Sequence, residues 1–185
     1  MFIKTLIPKM EIRAAQLYVS PRTRPLNQEE MQTRALSYLL KEPTCPQAGV
    51  DIAAYEMAAQ IAGSCVLVPV PNHTGDTGAN LRLCKAIAEH IAGAMVADIL
   101  GRARPVESSC DRHKAGRPPL TIAEHGIMRK NGRLIPANAI WYVDNTTTSG
   151  STMEACRAAL NGFGRGLAYA DAWQSVCLQN ARKAS

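Results

Sequence analysis

Aromatic side chains are scarce: two Phe, two Trp and five Tyr occur in 185 residues, and none falls between Gly101 and Ile140. That gap argues against a surface on which single-stranded bases stack. Long apolar runs are missing too. The longest mostly apolar stretch, Ala86 to Leu100, is interrupted by Glu89, His90 and Asp98, short of the roughly 18 residues that a spanning helix needs. Met1 to Met10 carries Lys4, Pro8 and Lys9 around short apolar pieces, without the apolar centre and cleavage site of a secretory signal. A soluble, cytoplasmic protein is expected. Six cysteines lie 19 to 46 residues apart with no CxxC pair and no His at zinc-finger spacing, so they read as reduced thiols and not as a metal site or disulfide frame. Gly and Pro together number 24, too few for a collagen-like or mucin-like chain. No internal repeat and no Gly-Lys-Ser/Thr phosphate loop occurs.

What is present suits one compact domain. Hydrophobic residues make up 46% and charged residues 19% of the chain, enough to bury a normal core. The net charge of +6 is concentrated: residues 101–137 hold Arg102, Arg104, Arg112, Lys114, Arg117, Arg129, Lys130 and Arg133 against Glu107, Asp111 and Glu124, eight minus three, or +5. Such a segment is a solvated basic loop, a site for an anionic ligand, or a nucleic-acid contact.

Periodicity orders the elements. Met10 to Val19 alternates weakly and predicts a strand. Asn27 precedes a helix to about Lys41, and Asp51 to Ile61 predicts a second. The β-branched run Cys65 to Pro71 predicts a buried strand. From Asn80 the positions Leu83, Ile87, Ile91 and Met95 recur every four residues, as on one helix face. Ala97 to Ala103 predicts a short strand, and Arg104 to Pro136, broken by Pro and Gly, a long excursion. Ala139 to Val143 predicts a buried strand, Ser151 to Leu160 a helix ended by Gly162, and Gly166 to Ala172 a last strand. This order predicts an α/β fold: a mainly parallel sheet flanked by helices. Ligands of such sheets bind at the carboxyl ends of the strands, where the turns Asn72 to Gly78 and Asn145 to Gly150 both lie.

The second turn carries the chemistry. An apolar strand delivers Asp144 and Asn145, then Thr146, Thr147, Thr148, Ser149, Gly150, Ser151 and Thr152, then a helix. A helix start presents unpaired N–H groups and a positive dipole end, so hydroxyls there suit a phosphate, and Gly150 lets the backbone approach. Asp144 and Asn145 are placed to hydrogen-bond vicinal sugar hydroxyls, which together fits a 5-phosphorylated ribose. The plain alternative is a Thr-rich helix cap.

This stretch resembles the signature of the type I phosphoribosyltransferases, with Asp144 at the first acid, Asn145 where a second acid is usual, and Thr148 to Thr152 as the 5-phosphate loop. Val66 to Pro71, followed by a turn and a helix, is similar to that family's diphosphate strand and loop, above all in the branch of competence-associated phosphoribosyltransferase-like proteins. The resemblance spans roughly residues 65–173. It implies one phosphoribosyltransferase-like domain over residues 1–185: an amino-terminal region 1–64 with a possible hood, a core 65–173, and a tail 174–185, the small hood drawn from the termini. It further implies transfer of 5-phosphoribose from phosphoribosyl pyrophosphate to a nitrogen acceptor, with Mg²⁺ bridging ribose hydroxyls and diphosphate and Asp144 reaching the metal only through those hydroxyls. Thr147, Thr148, Ser149, Gly150, Ser151 and Thr152 would hold the 5-phosphate. Pro71, Asn72, His73 and Thr74 form a diphosphate loop without the usual arginines. The basic excursion becomes a lid from which Arg112, Lys114 or Arg117 reaches the leaving group. Trp173 is placed to stack on a base, or else to fill core or interface, and a homodimer is implied. Two other functions fit the residues: a non-catalytic sensor of phosphoribosyl pyrophosphate or a nucleotide, favoured by Asn145 and the arginine-free loop, and a nucleic-acid-associated protein using residues 101–137.

Overall fold

The structure, a computed structural model, describes residues 9–22, 24–130 and 139–172, without the side chains of Cys110, His113 and Lys114. Trp173, Arg133 and the tail lie outside the described residues. In chain order the elements are β1 (Ile12–Leu17), α1 (Gln28–Leu39), α2 (Gln47–Ala58), β2 (Val66–Pro69), α3 (Gly78–Glu89), β3 (Met95–Val96), β4 (Leu100–Arg102), α4 (Ser109–Lys114), β5 (Ile127–Arg129), β6 (Ile140–Thr147), α5 (Ser151–Ala159) and β7 (Arg165–Asp171).

Five strands form one sheet in the order β1-β7-β6-β2-β3, every neighbouring pair parallel. The protein is thus α/β with a parallel sheet between helices. Period-2 alternation along β6 sorts its side chains to two cores. Trp141 and Val143 join Leu67, Cys84, Ile87 and the α2 residues Val50, Ala53 and Met57. Ile140 and Tyr142 join Val66, Val68 and the α5 residues Met153 and Cys156 on the other face. Cys45, Cys65, Cys84 and Cys156 are buried free thiols. The Tyr142 hydroxyl, buried in the second core, donates to the Phe163 carbonyl at 2.6 Å. No helix among the described residues is long and apolar enough to cross a membrane.

Local chemistry accounts for the element ends. Asn27 caps α1 through the Glu30 amide while Glu30 returns a bond to the Asn27 amide, a reciprocal capping box. Four expectations need correction. The strand expected over Ala97 to Ala103 does not extend the main sheet: Met95–Val96, just ahead of it, pairs with β2 for two residues, whereas Leu100–Arg102 within it pairs antiparallel with Ile127–Arg129 in a separate hairpin. The basic excursion therefore carries the helix α4 and the strand β5 and is not irregular throughout. Met95 leaves the α3 face, because that helix ends at Glu89 and Gly93 turns the chain at φ 74°. Nor do residues 9–64 stand apart as a hood. β1 forms the sheet edge beside β7, and α2 is buried against the sheet because one face offers only small and apolar residues.

Candidate functional site

The connection from β2 through α3 leads to one side of the sheet, and that from β6 through α5 leads to the other. The two helices lie on opposite faces, so the loops leaving β2 and β6 part above adjacent strands. A crevice between diverging loops is where open parallel sheets take their ligands. Both turns singled out in the sequence line it.

Asp144 stands on the α5 face of β6, only partly open to solvent. Its Oδ1 accepts from Asn80 Nδ2 at 3.2 Å and from the Asn145 amide at 2.8 Å, and Asn80 also donates to the Val70 carbonyl at 2.8 Å. Burial pushes the carboxyl up to about 6, opposed by the Asn80 bond, the charge of Lys41 and the Asn145 and Thr146 amides. At neutral pH it is ionised at an electrostatic cost.

Alternation separates its neighbours. Asn145 points to the opposite face, buried, and donates to the Ser37 carbonyl of α1 at 3.3 Å, so the amide ties the sheet to a helix. Thr147 follows it to that face and is buried. Thr146 returns to the Asp144 face, and its Oγ1 is buried without any partner. The sequence pointed to Thr147 and passed over Thr146; one residue of register in a strand that runs to Thr147 makes the difference. An Asn145→Asp variant sets a carboxylate against the Ser37 carbonyl. We expect a loss of about 2 kcal/mol, read as a lower urea midpoint.

The loop leaving β2 is held by its own residues and by an arginine from elsewhere. Asn72 Oδ1 accepts from the Thr74 amide and hydroxyl and from the Asp76 amide at 2.7 to 3.1 Å, so Asn72 shapes the loop. His73 is exposed, and its carbonyl accepts from the Val106 amide at 2.8 Å. The cation that the loop lacks comes from β4. Arg102 donates through Nε to the Asn72 carbonyl at 2.6 Å, through one terminal nitrogen to the Pro71 carbonyl at 3.4 Å, and through the other to the His125 carbonyl.

His125, just ahead of β5, is 1% exposed. Its Nδ1 lies 3.4 Å from an Arg102 nitrogen and its Nε2 3.2 Å from Ser151 Oγ. Burial, then the Arg102 charge, lowers its pKa to about 4. A Ser–His contact invites comparison with an activated nucleophile, but Nδ1 faces a guanidinium where such a pair needs a carboxylate, and an imidazolium is disfavoured there. Because His125 is neutral when folded and titrates near 6.5 when unfolded, the unfolded chain binds more protons below that pH. Stability supplied through this group is complete above about 6.5 and falls by up to about 3 kcal/mol as pH drops to about 4. Urea midpoints of a His125→Gln variant should lack that acid loss.

Helix α5 starts at Ser151 behind Gly150, at φ 76°, and no side chain caps it. Ser149 Oγ donates to Ser151 Oγ at 3.1 Å and accepts from the Ser151 amide at 3.4 Å. Thr148 is exposed, and Thr152 is partly open.

The expected lid cations are engaged within their own segment. Arg112 meets Glu107 at 3.4 Å and the Pro118 carbonyl at 2.9 Å, and Arg117 pairs with the same Glu107. Lys130 pairs with Asp98 at 2.9 Å. Lys114 ends α4 with its side chain outside the described residues, as is Trp173. A cleft of about 420 Å³ at the opposite, amino edge of the sheet is lined by Arg13, Trp141 and Arg165 and touches none of the residues above. Glu11 pairs with both arginines there.

Sequence reasoning missed Asn80, His125 and Thr146 and counted Arg102 only as charge. Their signal was small: a helix-start Asn, a lone His and an ordinary strand Thr. Comparison with known proteins finds no matching family model, no curated relative and no similar solved structure.

Proposed function

We propose that this chain is a phosphoribosyltransferase on a type I phosphoribosyltransferase-like fold, moving 5-phosphoribose from phosphoribosyl pyrophosphate to a nitrogen acceptor with release of pyrophosphate. One observation carries the proposal: a partly buried, ionised Asp144 and an uncapped, hydroxyl-lined helix start lie on the same face of the sheet at its switch point. An anion at one end and sugar hydroxyls at the other are the groups this pair complements. The α5 amides and the Ser/Thr hydroxyls would hold the terminal phosphate. Asp144 would accept from ribose hydroxyls, its charge favouring the cationic ribose of the transition state.

Mg²⁺ would enter with the substrate. Among the described residues no three metal-ligating side chains gather, and one oxygen of the Asp144 carboxylate, Oδ1, already accepts from Asn80 and a backbone amide. The described residues therefore offer no metal cage of their own.

A sensor of the same ligand is the second reading, favoured by Asn145 turned to Ser37 and by Arg112 and Arg117 held on Glu107. Labelled phosphoribosyl pyrophosphate with a panel of purines, pyrimidines and nicotinamide separates the two. Acceptor-dependent pyrophosphate release supports transfer; saturable binding without release leaves the sensor; no binding removes both.

A further inference from the structure

We infer that His125 is a positioning residue that holds Ser151 as a hydrogen-bond donor toward an oxyanion, and that Thr146 Oγ1 is a second contact for the same ligand. The inference rests on the reading above, that an anionic group is held at this loop, and names side chains that would select it.

A guanidinium nitrogen only donates, so the His125 Nδ1 that faces Arg102 at 3.4 Å must accept. The imidazole proton then sits on Nε2 and points at Ser151 Oγ, 3.2 Å away. Ser149 Oγ donates to the same oxygen at 3.1 Å. A hydroxyl oxygen has two lone pairs and one proton; with both lone pairs occupied, the Ser151 proton is left for a third group. Such a hydroxyl complements a partner that only accepts, as a phosphoryl oxygen does, and discriminates against one that must donate.

Thr146 supplies the independent observation. Its Oγ1 is enclosed and has no hydrogen-bond partner, which costs free energy unless a ligand meets it. It lies on the face of β6 shared by Asp144 and α5. The contacts run through the hairpin: Arg102 of β4 bonds the β2 loop and His125, and His125 meets Ser151 beyond the β6 loop, so the hairpin touches both loops.

The test uses the whole chain with two readouts. Long-range nitrogen–proton NMR correlations, with the His125 signal identified by its loss in His125→Gln, should show the Nε2–H tautomer; an Nδ1–H tautomer overturns the inference without touching the proposed function. Ribose 5-phosphate is then titrated calorimetrically. His125→Gln, whose amide nitrogen replaces Nε2–H, should bind nearly as wild type, whereas His125→Asn and Ser151→Ala each lose about tenfold and the double variant loses no more than either. Thr146→Val should melt higher than wild type and yet bind about tenfold more weakly, a combination that a purely structural threonine does not give. Wild-type binding that is indifferent to all these changes overturns the inference alone. Failure of the wild type to bind either ribose 5-phosphate or inorganic phosphate overturns the anion reading and the inference together.

Discussion

Asp144→Asn is expected to make the protein more stable at neutral pH and to lower the proposed phosphoribosyl transfer at least about a hundredfold, the size of losing a preorganised electrostatic group. The carboxyl is pushed up from 3.8 to about 6, chiefly by burial. A raised acid is a penalty carried by the ionised form, present in full above about pH 6 and gone below about pH 4. Its size is at most about 3 kcal/mol. The urea midpoint of Asp144→Asn should therefore exceed wild type at neutral pH and converge on it near pH 4.

His125 moves the other way over the same interval, since its folded pKa lies below its unfolded one. Between about pH 6 and pH 4 the contributions of these two groups should nearly cancel because they oppose. Asp144→Asn exposes the histidine slope, and His125→Gln exposes the carboxyl slope. Stability traded against activity at a buried charge is the mark of a group retained for its chemistry. A destabilised Asp144→Asn variant with normal turnover would remove Asp144 from the site.

The second large effect is at Gly150. Its φ of 76° belongs to the left-handed region, and a Cβ there would sit 2.5 Å from Ile12 Cδ1. Alanine meets both the backbone cost and the clash, together about 3 to 4 kcal/mol, and distorts the hydroxyl loop that precedes α5. Ile12→Val deletes the offending methyl carbon. In the double variant the clash should be relieved while the backbone cost stays, recovering about 1 to 2 kcal/mol. Chemical-denaturation midpoints of the four species give the coupling; simple additivity would show that Ile12 does not press on the loop.

Much of the architecture was legible because its signals are local. The run Val66 to Val70 has no polar interruption, so it is a strand buried on both faces. Asn27 with Glu30 announces a helix start, and Gly150 between hydroxyls announces a turn into one. Elements failed to be legible where a long-range partner decides them. Ala97 to Ala103 reads as a strand of the main sheet, and only pairing with Ile127–Arg129 draws Leu100–Arg102 into the hairpin. The leading residues look like a separate cap until β1 is seen paired with β7.

The same division runs through the candidate site. Asp144, the hydroxyl run and the glycine are consecutive, and their spacing alone defines a strand end, a turn and a helix start; composition and periodicity determine these because each rests on backbone preferences of neighbouring residues. The facing of each side chain was decided by tertiary structure. Asn145 and Thr147 go to the α1 side, Thr146 to the site, Arg102 to the β2 loop, and His125 arrives from 26 residues before Ser151. Contacts between segments distant in the chain depend on register and packing against the opposite layer, and neither quantity is written in the local run of residues.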